Sequence, residues 1–230
     1  MDRRADIAAE PGTIVIFSDV GCPWAHLGVF RLHRARERVG LQDDVRIDHR
    51  AFPLELFNRR GTPRRGLDPE IPVAGNLDPA AGWQIWQGEL SNYPTTMLPA
   101  LEAVQAAKEQ GLDASERLDL GLRRAFFGES RNVSLHHVIL EVADERELDA
   151  GALEEALTDG RARRQVFDDW RVAQGDAVRG SPHLFLPDGS DHHHPGVEYH
   201  WEDAGGHGFP VVDRDDPSVY DDIVKRAATS

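Results

Sequence analysis

The sequence predicts an α/β fold in which a run of helices separates two groups of strands. A β-branched run, a capped amphipathic segment and a second alternating run follow one another over residues 13–52. Helical spacing then dominates from 98 to 174, and strand character returns at 183–187. The 230 residues, 40% of them hydrophobic, suffice for one substantial core or for one core with an inserted subdomain.

The first strand is TIVIFS at 13–18, a β-branched and aromatic run behind Pro11-Gly12. A helix is expected over 23–39, with Leu27, Phe30 and Leu32 near one side. Pro23 suits its first turn, where a missing N–H costs nothing, and Gly40 ends it. Residues 45–52, VRIDHRAF, alternate Val, Ile, His and Ala against Arg, Asp, Arg and Phe, the pattern of a second strand. Residues 57–95 are rich in Gly, Pro, Asn and Arg and show little periodicity, so a long irregular connection is expected there.

Further on, Leu118, Leu122, Ala125 and Phe126 share a helical face. So do Ile139, Val142 and Ala143, with Ser134 as their expected N-cap. Leu153, Ala156 and Leu157 repeat the spacing before Gly160, and Val166, Trp170 and Ala173 continue it. HLFLP at 183–187 is followed by an Asp188-Gly189 turn, VEYHW at 197–201 reads as another strand, and a last helix is expected to start near Asp216-Pro217 and run to about Ala227.

The net charge of -14 repels phosphate backbones and anionic membranes, which argues against nucleic-acid and membrane partners. The opening MDRRADIAAEPGT has no apolar h-region, and no apolar run approaches the ~18 residues of a membrane span. Cys22 is the single cysteine, so an internal disulfide is excluded. Together these features predict a cytoplasmic protein.

Cys22 stands where the first strand passes into the first helix. A thiol there meets unpaired N–H groups and the positive end of the helix dipole, both of which favour a thiolate. Such sites lower a thiol pKa from ~8.5 to ~3.5–7.5. His26, one turn on, adds to the effect when protonated. The plainer reading is an inert core cysteine.

The stretches FSDVGCPWAHLG, AFFGESRNVSLHHVILEVADERELD and VRGSPHLFLPDG, in that order, resemble the DsbA-like branch of the thioredoxin superfamily. FrnE-like proteins, kappa-class glutathione transferases and 2-hydroxychromene-2-carboxylate isomerases are similar in the same way. The resemblance implies a thioredoxin-like fold with an inserted all-helical domain. The thioredoxin-like part would be 11–56 and 178–230, and the helical part 57–177 with its irregular lead-in. It implies an active-site motif of Cys22, Pro23, Trp24, Ala25 and His26. It also implies a substrate groove at Ser181, Pro182 and His183, with a cis bond before Pro182. One departure matters. Redox members carry Cys-x-x-Cys, whereas position 25 here is Ala. Kappa-class transferases and the isomerases often put Ser at the first position, whereas this chain keeps Cys22.

Kappa-class relatives hold the γ-glutamyl end of glutathione near the start of the last helix. By that resemblance Asp216 would receive an ammonium and the N–H of Ser218 a carboxylate, although helix capping explains both residues. Trp24 is either an apolar wall beside the thiol or simple helix packing. Arg59, Arg60, Arg64 and Arg65 can hold carboxylates of a glutathione-like ligand, or form a solvated loop. His183 faces either the pocket or the core. His192, His193, His194, His200 and His207 invite a metal. However, adjacent side chains in an extended segment point apart, so no metal site is expected.

Without a resolving cysteine, Cys22 can open a disulfide but needs an external thiol to close the cycle. Three functions follow. One is a monothiol thiol–disulfide oxidoreductase, with no tightly bound cofactor and with glutathione or mycothiol as cosubstrate. Its substrates would be small thiols or disulfides, including protein disulfides. The second is a glutathione-dependent isomerase or transferase in which Cys22 positions the cosubstrate. The third is a non-catalytic binding module.

Overall fold

The computed structural model describes residues 7–203 and 207–229. Residues 1–6 of the amino-terminal stretch, 204–206 of the His-rich segment, residue 230 and the side chain of His207 lie outside that description.

Strand β1 (Thr13–Ser18), helix α1 (Pro23–Val39) and strand β2 (Arg46–Ala51) form the expected βαβ unit, with β1 and β2 parallel. Gly40 closes α1 in the left-handed conformation (φ 72°) that glycine adopts without steric cost. The alternation in β2 is the one the sequence shows: Ile47, His49 and Ala51 are buried and Arg46, Asp48 and Arg50 are not. Strands β3 (His183–Phe185) and β4 (Asp191–His193) complete a four-stranded sheet of order β2-β1-β3-β4, with β3 antiparallel to β1 and β4 antiparallel to β3.

Alternate residues of β1 serve two cores. Ile14 and Ile16 pack with Leu32, Ile47, Tyr220 and Val224 under α1 and the final helix, α10 (Val219–Thr229). Val15 and Phe17 pack on the other face with Phe52, Val178 and Phe185.

Between β2 and β3 every regular element is a helix. The stretch expected to be irregular holds the end of α2 (Leu54–Asn58), α3 (Arg64–Leu67) and α4 (Glu70–Leu77), and from 78 to 95 it is irregular apart from two single 3-10 turns. Pro53, Pro63, Pro69 and Pro79 punctuate it and keep each piece too short to show a helical period. Helices α5 (Leu98–Ala107), α6 (Leu112–Glu129), α7 (His136–Glu145), α8 (Ala150–Asp159) and α9 (Arg163–Ala173) follow, and their apolar stripes meet in one cluster around Leu101, Leu118, Leu122, Ile139 and Leu157.

One capping expectation is corrected. Leu135, not Ser134, precedes α7, because both the N–H and the hydroxyl of Ser134 donate to the side chain of Asn132 in a local turn. Asp149, which the periodicity did not single out, caps α8 by accepting from Ala152 N at 2.9 Å. A further difference concerns the end of the chain. Strand β5 (Val197–Asp203) pairs with a strand the sequence pattern did not show, β6 (His207–Asp215), as a separate antiparallel hairpin, while α10 starts at Val219, close to the expected Asp216-Pro217. No helix of the described residues is long and apolar enough to cross a membrane.

Candidate functional site

The site forms where α1 begins. Cys22 is the residue before α1, and its carbonyl accepts from His26 N at 2.9 Å. The loop before it is held by Asp19, whose carboxylate accepts from Gly21 N (2.8 Å) and Leu54 N (2.8 Å). Arg123, fully buried on α6, reaches the same loop. It donates to Asp19 O (2.9 Å) and Ser18 Oγ (2.8 Å) while paired with Asp119 (2.7 Å). Burial pushes the Asp19 carboxyl up to about 6 against these hydrogen bonds.

The loop before β3 faces the thiol. The Ser181–Pro182 peptide bond is cis. Cys22 Sγ donates to Ser181 O at 3.3 Å, and Ser181 Oγ accepts from Asp19 N at 2.9 Å. Gly28 on α1 permits this approach, since a Cβ there would stand 3.1 Å from Pro182 Cγ and 3.1 Å from the Tyr220 hydroxyl.

The β5–β6 hairpin covers the sulfur. Val197, Tyr199 and Val212 pack with Cys22, Trp24, Ala25 and Ala74. Trp24 stacks on Tyr199 with ring centroids 4.1 Å apart and planes 13° from parallel, and His194 lies 6.5 Å from the indole. Arg31 of α1 anchors the hairpin through Asp215 (2.6 Å). Cys22 is left 6% exposed.

This cover reverses the expected ionisation. Burial pushes the Cys22 thiol from 9.0 up to about 12, with the nearby Glu70 carboxyl acting in the same direction. Hydrogen bonds from Ser181 and from Ala25 N oppose the rise, so the helix N-terminus does favour the thiolate, but desolvation outweighs it. His26 gives no help. It is fully buried, stacked on Phe127 at 4.8 Å and edge-on to Trp83 at 4.4 Å, and burial holds its pKa down to about 3. Glu70 itself is pushed up to about 7 by burial, offset in part by the Trp24 indole N–H.

The structure thus brings together Cys22, Pro23, Trp24, Ala25, Ser181 and Pro182. The polar contacts of His183 are elsewhere: Nε2 lies 2.8 Å from Asp191 and Nδ1 accepts from Arg179 N. Asp216 and Ser218 bond to each other, Ser218 Oγ donating to Asp216 Oδ1 at 2.5 Å, and Asp216 N donates to Gly196 O, next to Val197 of the cover. Of the four loop arginines, Arg64 pairs with Asp68, and Arg59 and Arg60 line a separate cleft. Among the described residues no group of three or more His, Cys, Asp or Glu side chains is placed to hold a metal.

Glu70 and Tyr199 are site residues that the sequence reasoning missed, and His194, weighed there only as a metal candidate, lies beside the Trp24 indole. Tyr199 had a signal, since Val197 and Tyr199 alternate with Glu198 and His200 and must share a face. Glu70 had none, lying in a stretch without period.

A parallel βαβ unit joined to an antiparallel pair, with a cysteine at the helix start facing a cis-proline loop, defines a thioredoxin-superfamily protein. The chain belongs to the DSBA-like thioredoxin domain family, whose profile matches residues 13–199. Solved structures resemble it over most of its length. The cytosolic disulfide reductase DsbM from Pseudomonas aeruginosa, also solved with GSH, is 18% identical, with 94% of this chain and 95% of that one covered at a TM-score of 0.61. A probable DsbA oxidoreductase from Streptomyces coelicolor is 20% identical over 94% and 89% of the two chains at 0.62. A 2-hydroxychromene-2-carboxylate isomerase is 18% identical over 76% and 86% at 0.55. No curated protein sequence matches the chain.

Proposed function

We propose that this protein is a monothiol thiol–disulfide oxidoreductase of the cytoplasm that works with a small thiol such as glutathione or mycothiol. The observation that carries it is Cys22 Sγ at the start of α1, 3.3 Å from the carbonyl of the Ser181–Pro182 loop, with Ala25 in the place of a second cysteine. Family membership supports the reaction class, and the DsbM structure with GSH supports the kind of cosubstrate.

In the first step the Cys22 thiolate attacks one sulfur of a disulfide. A Cys22–substrate disulfide forms and the other sulfur leaves as a thiolate. An external thiolate then attacks the mixed disulfide, carries off the substrate sulfur as a new disulfide and returns Cys22 as a thiolate. A second external thiolate attacks the external-thiol sulfur of that new disulfide and releases the remaining substrate sulfur as a thiolate, so that two external thiols become one disulfide and the substrate gains two electrons.

A second reading has one observation in its favour. The buried Cys22 is a thiol that donates a hydrogen bond, a group that can steady the sulfur of a bound cosubstrate in an isomerase or transferase. Cys22→Ser separates the two, because a serine hydroxyl still donates. Incubation with oxidised glutathione, read by intact mass, should add one glutathionyl group to the wild type and none to Cys22→Ser. Disulfide reduction coupled to glutathione should vanish in the variant. Absence of the adduct at pH 9, where thiolate is more abundant, refutes the exchange mechanism.

A further inference from the structure

The largest cleft among the described pockets lies away from Cys22, between the end of α2 and α9. Its volume is about 640 Å³, within the range of ~300–1,000 Å³ typical of small-molecule sites. Leu56, Phe57 and Trp170 form apolar walls, and Arg59, Arg60 and Gln174 supply polar groups. None of the Cys22 site residues lines it.

Four features of the cleft point to a ligand. Among the described residues neither Arg59 nor Arg60 has an ion-pair partner, although the chain carries a net charge of -14. In so acidic a protein two free guanidiniums at one cleft are a local focus for anions. Trp170, in the wall of the cleft, has an indole Nε1 without a hydrogen-bond partner among the described residues. The remaining lining carboxylate, Glu55, is already engaged by the Thr96 hydroxyl (2.8 Å) and by Met97 N (2.6 Å).

The backbone supplies the fourth feature. Arg59 caps α2 in the left-handed conformation (φ 54°), donating its N–H to Glu55 O. Glycine holds that conformation at lower cost, about 1 kcal/mol less for a C-cap of this kind. An arginine kept in a conformation that favours glycine, at the rim of a cleft, is the kind of local strain that accompanies a working side chain.

We propose that this cleft binds a small organic anion with a flat apolar body, an aromatic carboxylate or an aromatic phosphate ester. Its charged end would meet Arg59 and Arg60 and its ring would lie against Trp170 and Phe57. Guanidinium groups take planar carboxylates and phosphates bidentately and aromatic faces take the ring.

The test is calorimetric titration of the full chain with 2-naphthoate, phenyl phosphate and neutral 2-naphthamide. At least one anion should bind saturably, with the amide at least about tenfold weaker, as expected for the loss of charge-assisted hydrogen bonds. Which anion binds more tightly distinguishes the carboxylate from the phosphate ester. The double variant R59G/R60Q should lose at least about tenfold in affinity while its melting temperature is held or raised, because glycine relaxes the αL position. W170F, which keeps the wall but removes the indole N–H, should weaken binding several-fold and keeps the test independent of the loop. C22S should bind as the wild type does. Failure of both anions to saturate at about millimolar concentration, equal binding of the amide, or full affinity in R59G/R60Q would each overturn the proposal.

Discussion

The reactivity of Cys22 is the sharpest consequence of this fold. A rise from 9.0 to about 12 disfavours ionisation by about 4 kcal/mol and lowers the thiolate fraction below pH 9 by about a thousandfold. Alkylation by iodoacetamide follows the thiolate. At pH 7.5 Cys22 should therefore react about a thousandfold more slowly than an ordinary thiol, before any steric hindrance by the hairpin is counted. The rate should climb steadily to pH 10 with no plateau. Glu70→Gln removes the carboxylate that adds to the effect of burial. Loss of one neighbouring like charge is worth about one pKa unit, so the variant should react about tenfold faster at pH 9. The sign of its pH dependence is set by Glu70, which burial pushes up to about 7. Below pH 6 Glu70 is already neutral in the wild type and the two proteins should coincide; the gap should open between pH 6 and 8. Rates are read by intact mass over a pH series. A wild-type plateau with a midpoint below pH 8, or identical rates for the two proteins at pH 9, refutes the reasoning.

Three further outcomes are expected. Arg123→Met leaves Asp119 buried without its partner and frees the loop before Cys22. It should cost about 3–5 kcal/mol in urea unfolding, and a loss under 1 kcal/mol would contradict the buried network. Arg31→Ala releases Asp215 and loosens the hairpin, so Cys22 alkylation at pH 9 should rise several-fold; an unchanged rate would mean that the hairpin stays closed without this latch. Asp149→Ala removes the cap of α8 and should cost about 1 kcal/mol in the same unfolding assay, with no change in Cys22 alkylation.

Much of the framework was legible because its signals are local. Pro23 and Gly40 bound α1, β-branched runs mark β1 and β2, and the Leu and Ala spacings mark α6 to α8, since each depends on residues within a turn or two. The segment 57–95 is irregular over much of its length, as its composition predicts, while α3 and α4 within it went unseen because short helices between prolines show little period. Strand β6 was hidden because its partner is a hairpin outside the main sheet, where one face stays exposed. Val211 and Phe209 are exposed while Pro210 is buried, a weak version of the alternation that reveals a strand. Ser134 was misassigned because its competing partner, Asn132, is two residues away and only the turn geometry decides between them.

The sequence by itself determined that a lone thiol stands at the start of a helix in a βαβ unit, and that Ala25 leaves it without a partner in this chain. Both are facts of order and spacing. The tertiary structure alone decided what state that thiol is in. The helix end pulls it toward ionisation through groups one turn away. The opposing groups come from distant parts of the chain: the β5–β6 hairpin that strips it of water and Glu70 that places a carboxyl beside it. Desolvation depends on everything packed around an atom, and no local stretch of sequence carries that sum.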